Sequence, residues 1–170
     1  SSDHGAIPTA SYLNKQKLPT GIANIKNYKD SLSNYLNTKY GKNSWVQNFD
    51  GENVYLNKNS IAKSNLQLQK VQQEVADYLI DFEGINTALT AFQLQNNEYT
   101  FGTKSKLQKG YHPKRSGDVL LEFSPGFVQS SETDISKIRG TTHGSGYAYD
   151  THVPILWYGW RVPKGESVRK

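Results

Sequence analysis

His4 follows Asp3 and precedes Gly5, which puts a carboxylate oxygen and an imidazole nitrogen, both metal-binding atoms, on neighbouring residues. Neighbouring side chains of an extended strand point to opposite faces. The two can share one metal region only at a strand end where the backbone turns, and Gly5 permits that turn. Taken alone, the tripeptide also reads as an ordinary terminal loop. His143 lies in Gly140-Thr141-Thr142-His143-Gly144-Ser145-Gly146-Tyr147, a polar, glycine-rich loop just ahead of an apolar run. Ligand-binding and catalytic groups concentrate on loops held by such buried strands. A histidine there can ligate a metal, act as a general base, or bond to its own loop.

The other two histidines carry less. His152 directly precedes Val153-Pro154. It could ligate a metal, but holding the strand entry by hydrogen bonds is the better reading; Asp150 has the same two options. His112, in Tyr111-His112-Pro113-Lys114-Arg115, reads as structural, and Lys114 and Arg115 as a solvated loop rather than a phosphate site. Rival chemistries fail on composition or spacing. Without cysteine there is no disulfide framework, Cys-type zinc finger, iron–sulfur cluster or thiol nucleophile. Gly144-Ser145-Gly146 lacks the spacing of a hydrolase elbow. The chain has no Gly-Lys-Ser/Thr phosphate loop, and no helix with two histidines at a metal spacing. Glu74 and Asp77 are the solvated side of a helix.

These residues need elements to position them. Residues 1–27 read as a loop leaving a strand. Tyr28, Leu32, Tyr35, Leu36 and Tyr40 recur at helical spacing until Gly41 stops the helix, with Lys39 in its last turn. Residues 44–58 predict a hairpin turning at Asp50-Gly51-Glu52. A second helix is expected from about Leu66 to Glu83, with Leu68, Val71, Val75, Leu79 and Phe82 as its apolar stripe and Gly84 at its end. Ile85 to Leu94 reads as a strand, or a short strand and a helix. Residues 95–117 are a polar surface excursion, Val119 to Phe123 a strand closed by Pro125-Gly126, and residues 129–151 a long loop of the functional kind. Val153 to Gly159 has the composition of a buried strand, with Pro154 at its start. The order of elements suits an α/β or α+β layering in one unit, residues 1–170.

Composition sets wider bounds. The chain has 170 residues, 35% hydrophobic and 21% charged, which is enough for one domain or a large piece of one. Aromatics reach 12%, against wholesale disorder. No apolar run approaches the roughly 18 residues of a transmembrane helix, so no membrane partner is expected. The net charge of +5 is spread along the chain rather than gathered into blocks. It fits a basic surface that attracts anionic small substrates better than a nucleic-acid interface. Methionine is absent, even at position 1, and the first residues lack the basic and apolar regions of a signal peptide. The expectation is a processed product, a trimmed chain or a fragment.

Asp3-His4-Gly5 and Thr142-His143-Gly144-Ser145 together resemble the alkaline phosphatase and nucleotide pyrophosphatase superfamily, in particular its bacterial branch of exported alkaline phosphatases and type I phosphodiesterases. In that branch an Asp-His-Gly ends one strand, and a Thr-His-Gly-Ser-Pro-Tyr stretch follows well over a hundred residues later. Tyr-Asp, a variable pair, Val-Pro and a strand ending in Gly come after it; here that run is Thr142 to Gly159. Ser116-Gly117-Asp118-Val119 also looks familiar. Gly146 departs from the pattern, since relatives usually carry Pro there.

The resemblance implies an α/β fold, the C-terminal portion of an alkaline-phosphatase-like sheet with flanking helices. It implies two zinc ions per intact site. Asp3 and His4 would bind the zinc that also holds the nucleophile, and His143 the second zinc. His152 falls at a variable position and inherits no role. The family's Thr or Ser nucleophile and further ligands stand upstream of the Asp-His-Gly, so no catalytic residue is expected in this chain. The implied function is part of a zinc-dependent phosphatase hydrolysing phosphate monoesters through a covalent phospho-Thr, located in the periplasm or secreted, with the missing N-terminal part as partner. A phosphodiesterase or nucleotide pyrophosphatase, or a non-catalytic binding domain on the same scaffold, are the alternatives. The chain alone is expected to bind zinc weakly and hydrolyse nothing.

Overall fold

The computed structural model describes residues 3–167. In chain order its elements are α1 (Ala10–Lys15), β1 (Gly21–Ala23), α2 (Ile25–Tyr40), β2 (Val46–Asp50), β3 (Asn53–Leu56), α3 (Lys58–Lys63), α4 (Leu68–Leu79), β4 (Ile85–Thr90), α5 (Ala91–Asn96), α6 (Gly102–Gly110), β5 (Val119–Phe123), β6 (Phe127–Gln129), a 3-10 turn (Ile135–Lys137) and α7 (Ala148–Thr151).

Four strands form an antiparallel sheet in the order β2-β3-β5-β4. The predicted hairpin is its β2–β3 edge, and Gly51, at φ 55, makes the tight turn. α2 and α4 pack on this sheet and on each other. Leu32 and Leu36 from α2 and Val71, Val75 and Leu79 from α4 are buried against Val54, Leu56, Val119 and Leu121. Trp45 is buried beside them and donates its indole N–H to Gly41 O at 2.9 Å. That one bond joins the end of α2 to the start of β2, and Gly41, at φ 89, reverses the chain there. At the other end, α5 begins with a reciprocal cap between Thr90 and Gln93.

A second, two-stranded sheet pairs β1 with β6 in parallel, Gly21 opposite Phe127. The ring of Phe127 lies on Gly21 and Gly84 at once; a Cβ on either glycine would strike it. Gly84 also holds φ 87 in the turn entering β4. Gly84→Ala therefore combines backbone strain with displacement of a packed ring. A loss of about 2 kcal/mol in urea unfolding is expected.

The structure departs from the sequence expectations in several places, among them the 3-10 turn and α7 inside the stretch read as one long loop. α1 and β1 occupy the stretch read as loop; each is short, and neither has enough period to show. α4 ends at Leu79 rather than Glu83, because Phe82 N–H turns back to Leu79 O in a tighter turn and Gly84 then leads into the strand. α6 sits inside the polar excursion, with Ser105 buried and Leu107 packed against the cluster of Leu89, Leu94 and Leu120. Two inward residues make too weak a periodic signal. Val153 to Gly159, expected as a buried strand, is neither. Ile155, Leu156, Trp157 and Tyr158 are 66%, 81%, 79% and 103% exposed, and no strand among the described residues pairs with them. An apolar run becomes a strand only against an edge that accepts its backbone bonds.

Candidate functional site

Two bonds bring the two ends of the chain together, and a third folds the later segment on itself. Gly5 N–H donates to Asp150 O at 2.8 Å. Thr141 Oγ1 donates to Ile7 O at 2.6 Å. Ser145 N–H donates to the Asp150 carboxylate at 2.6 Å, which folds the loop after His143 back onto α7. As a result the rings of His4 and His143 are stacked, with centroids 3.7 Å apart and planes 12° from parallel. Asp3 Oδ1 stands 3.8 Å from His4 Nε2, and its side chain is almost wholly exposed. His4 Nδ1 donates to Gly5 O at 2.9 Å. Two imidazoles and a carboxylate thus meet at one spot at the surface. Gly5 is required there, since a Cβ on it would run into the Tyr149 carbonyl.

His143 borders a cavity of about 40 Å³, lined also by Glu52, Ser124, Thr142, Ser145 and Asp150. That is room for about one water or one small ion. Below it lies an acidic cluster that the sequence reading missed. Glu122 is buried near the end of β5; one carboxylate oxygen accepts from Asn86 Nδ2 at 3.0 Å, and the other has no hydrogen-bond partner among the described residues. Burial, then the charges of Glu122 and Asp150, push the Glu52 carboxyl up to about 7. Burial, with Glu122 next, holds the Tyr147 phenol at about 12, so it stays protonated and donates to Phe123 O at 3.0 Å. The available signal was a lone charge inside the run Val119-Leu120-Leu121-Glu122-Phe123. Glu52 looked like an ordinary turn residue.

Gly146 also acquires a local reason. A Cβ there would lie 3.2 Å from the unpartnered Glu122 oxygen and 3.4 Å from Thr103 Cγ2. From the far side, Lys106 Nζ donates to Gly146 O at 2.5 Å and Thr151 Oγ1 at 3.0 Å, tying α6 to the same loop. His152 is exposed at the end of α7, its N–H donating to Ala148 O. His112 is exposed and accepts Lys114 N–H within its own turn, a loop-holding role.

The donor types of Asp3, His4 and His143 suit zinc, which takes imidazole nitrogen and carboxylate oxygen at about 2.0–2.2 Å. Among the described residues, no group of three His, Cys, Asp or Glu is arranged to hold a metal ion. The donor chemistry fits, then, while a closed ligand set is absent from these residues.

No family model matches the chain. It is 29% identical over 167 residues to alkaline phosphatase PafA of Elizabethkingia meningoseptica, covering 98% of this chain and 30% of that protein. It is 26% identical over 170 residues to a calcium-transporting ATPase of Myroides odoratus, covering 100% of this chain and 30% of that protein. Alkaline phosphatase PhoV of Synechococcus elongatus is 28% identical over 167 residues, covering 98% of this chain and 28% of that protein. The crystal structure of wild-type PafA superposes with a TM-score of 0.84 at 28% identity, over 99% of this chain and 31% of that one. The chain spans less than a third of the length of the relatives it matches. In sequence and in fold it is similar to part of these alkaline phosphatases, with a mixed α/β architecture of sheets and flanking helices.

Proposed function

We propose that the intact protein is a zinc-dependent phosphatase that hydrolyses phosphate monoesters through a covalent phospho-threonine, with two zinc ions in its site. The observation that carries this reading is the meeting of His4 and His143, with Asp3 alongside, from opposite ends of the chain. When bound, zinc supplies Lewis-acid stabilisation of the charge on a phosphoryl group and its attacking and leaving oxygens. This chain's part is to present ligands: Asp3 and His4 to one ion, His143 to the other. Its net charge of +5 favours the approach of a phosphate ester. The nucleophile and the remaining ligands belong to the upstream part of the polypeptide. That part would also cover the exposed apolar run from Ile155 to Trp160. The same reading puts the intact protein in the periplasm or outside the cell.

Zinc titration of the chain, followed through histidine ring resonances, tests the ligands. Signals of His4 and His143 should move at millimolar zinc, while those of His112 and His152 should not. In the intact protein, His143→Ala should cut kcat/KM for a monoester by more than about 100-fold, because outer-shell partners of a metal already cost 10–100-fold. The reading is wrong if excess zinc leaves the His4 and His143 signals unmoved. Assay of the intact protein on matched monoester and diester substrates separates a phosphatase from a phosphodiesterase.

A further inference from the structure

We infer that Asp150 is a positioning residue that holds His4 and His143 side by side; in its bearing on catalysis this rests on the metal-ligand reading above. Asp150 is 3% exposed, so its polar groups must find their partners within the protein. Its two polar groups go to different segments. The carboxylate takes Ser145 N–H at 2.6 Å and fixes the loop that begins at His143. The main-chain carbonyl takes Gly5 N–H at 2.8 Å and fixes the segment that begins at Asp3. A carboxylate accepting a backbone N–H makes a strong, charge-assisted bond. One residue therefore sets the spacing of both imidazoles.

The residue is itself anchored. It lies in α7, whose first turn closes through Asp150 N–H and Thr151 N–H to Tyr147 O. Tyr147 bonds through its phenol to Phe123 O at the end of β5. Lys106 grips Gly146 and Thr151 on either side of that turn. The sheet thus reaches the two histidines through Tyr147, α7 and Asp150. Supporting residues of this kind act by removing the freedom of the groups that do the chemistry.

The test uses the metal-free chain with isotope-labelled histidine. In the wild type, rings stacked at this distance give a His4–His143 ring-to-ring Overhauser contact. Asp150→Ala, which removes the carboxylate arm, should abolish it and weaken zinc binding about 10–100-fold. Asp150→Asn keeps an acceptor for Ser145 N–H and should restore the contact. Gly5→Ala breaks the main-chain arm by collision with the Tyr149 carbonyl, and should abolish the contact without touching Asp150; it carries the test if Asp150→Ala does not fold. Methyl signals of Leu32, Leu56 and Leu121 report that the core is intact. The inference is overturned if the wild type lacks the contact, if the contact survives in both disrupting variants, or if Asp150→Asn behaves like Asp150→Ala. Because the contact is read without metal, it is independent of zinc. Wild-type rings in contact but indifferent to zinc would leave Asp150 as their positioner and overturn the ligand reading alone.

Discussion

Asp118→Ala lowers the melting temperature by roughly 10 °C, from a stability loss of about 3 kcal/mol at 2–4 °C per kcal/mol for a chain of this size. Asp118 is 6% exposed at the entry to β5. One carboxylate oxygen takes Leu56 N–H at 2.9 Å, which continues the β3–β5 pairing where the ladder itself has stopped. The other takes Gln72 Nε2 at 3.1 Å and lies 3.3 Å from Lys58 Nζ. Gln72 is 4% exposed on α4, so one side chain ties the sheet to a helix from beneath. Alanine leaves a buried backbone donor and a buried amide unsatisfied, and each such group costs about 1–3 kcal/mol. Lys58 is largely exposed and rehydrates, so it adds little. The main-chain bonds of Asp118 to Val54 O and from Ala91 N survive the substitution, which is why the chain should still fold. Asp118→Asn keeps an acceptor for Leu56 and should lose about 1 kcal/mol. Thermal melts of the two variants check this; a drop below about 3 °C for alanine would place the anchoring elsewhere.

Glu52→Gln stabilises the chain at pH 8 by about 2 kcal/mol and leaves it unchanged at pH 4. The carboxyl stands at about 7 in the folded chain, against an ordinary value of 4.5, with burial as the larger cause and Glu122 and Asp150 next. Below 4.5 the group is protonated in both states and costs nothing. Between 4.5 and 7 the folded state holds the extra proton, so stability falls as pH rises. Above 7 the full penalty is present. A shift of this size corresponds to about 3 kcal/mol, reduced to about 2 because solvent still reaches part of the group. Glutamine has no charge to bury and escapes the penalty. Urea unfolding at pH 4, 6 and 8 should show wild type and variant diverging with pH. Parallel curves would mean that neither burial nor the charges of Glu122 and Asp150 raise the Glu52 carboxyl.

The elements that were legible beforehand are those whose signal is local. Tyr28, Leu32 and Leu36 repeat at helical spacing over enough turns to leave no other reading of α2, and Gly41 ends it. Asp50-Gly51-Glu52 between two alternating runs specifies a tight hairpin. The elements that were not legible depend on distant partners. β1 is three residues long and exists because Phe127 to Gln129 lie beside it. Val153 to Gly159 has a strand's composition and no edge to join among the described residues. The same division runs through the site. Asp3, His4 and His143 could be singled out by residue type and by the motifs around them. Glu52, Glu122 and the dual role of Asp150 could not, because their significance is mutual proximity across a turn, a strand and a helix.

The order of residues was enough to single out nitrogen and oxygen donors on glycine-flanked loops, to exclude a thiol, and to show a run from Thr142 to Gly159 that resembles bacterial alkaline phosphatases. Composition and periodicity were enough for α2, α4, the hairpin and most of the core. The meeting of His4 with His143 was a matter for the folded chain, because it depends on two hydrogen bonds between the first and last segments, on a third that folds the loop after His143 onto α7, and on the close approach of Gly5 to Tyr149. So was the gathering of two buried carboxylates, Glu122 and Asp150, and the half-buried Glu52 beneath that meeting point. A pattern along the chain records what each residue can do; which residues stand within a few ångströms is set by packing, whose contacts join positions that the sequence keeps far apart.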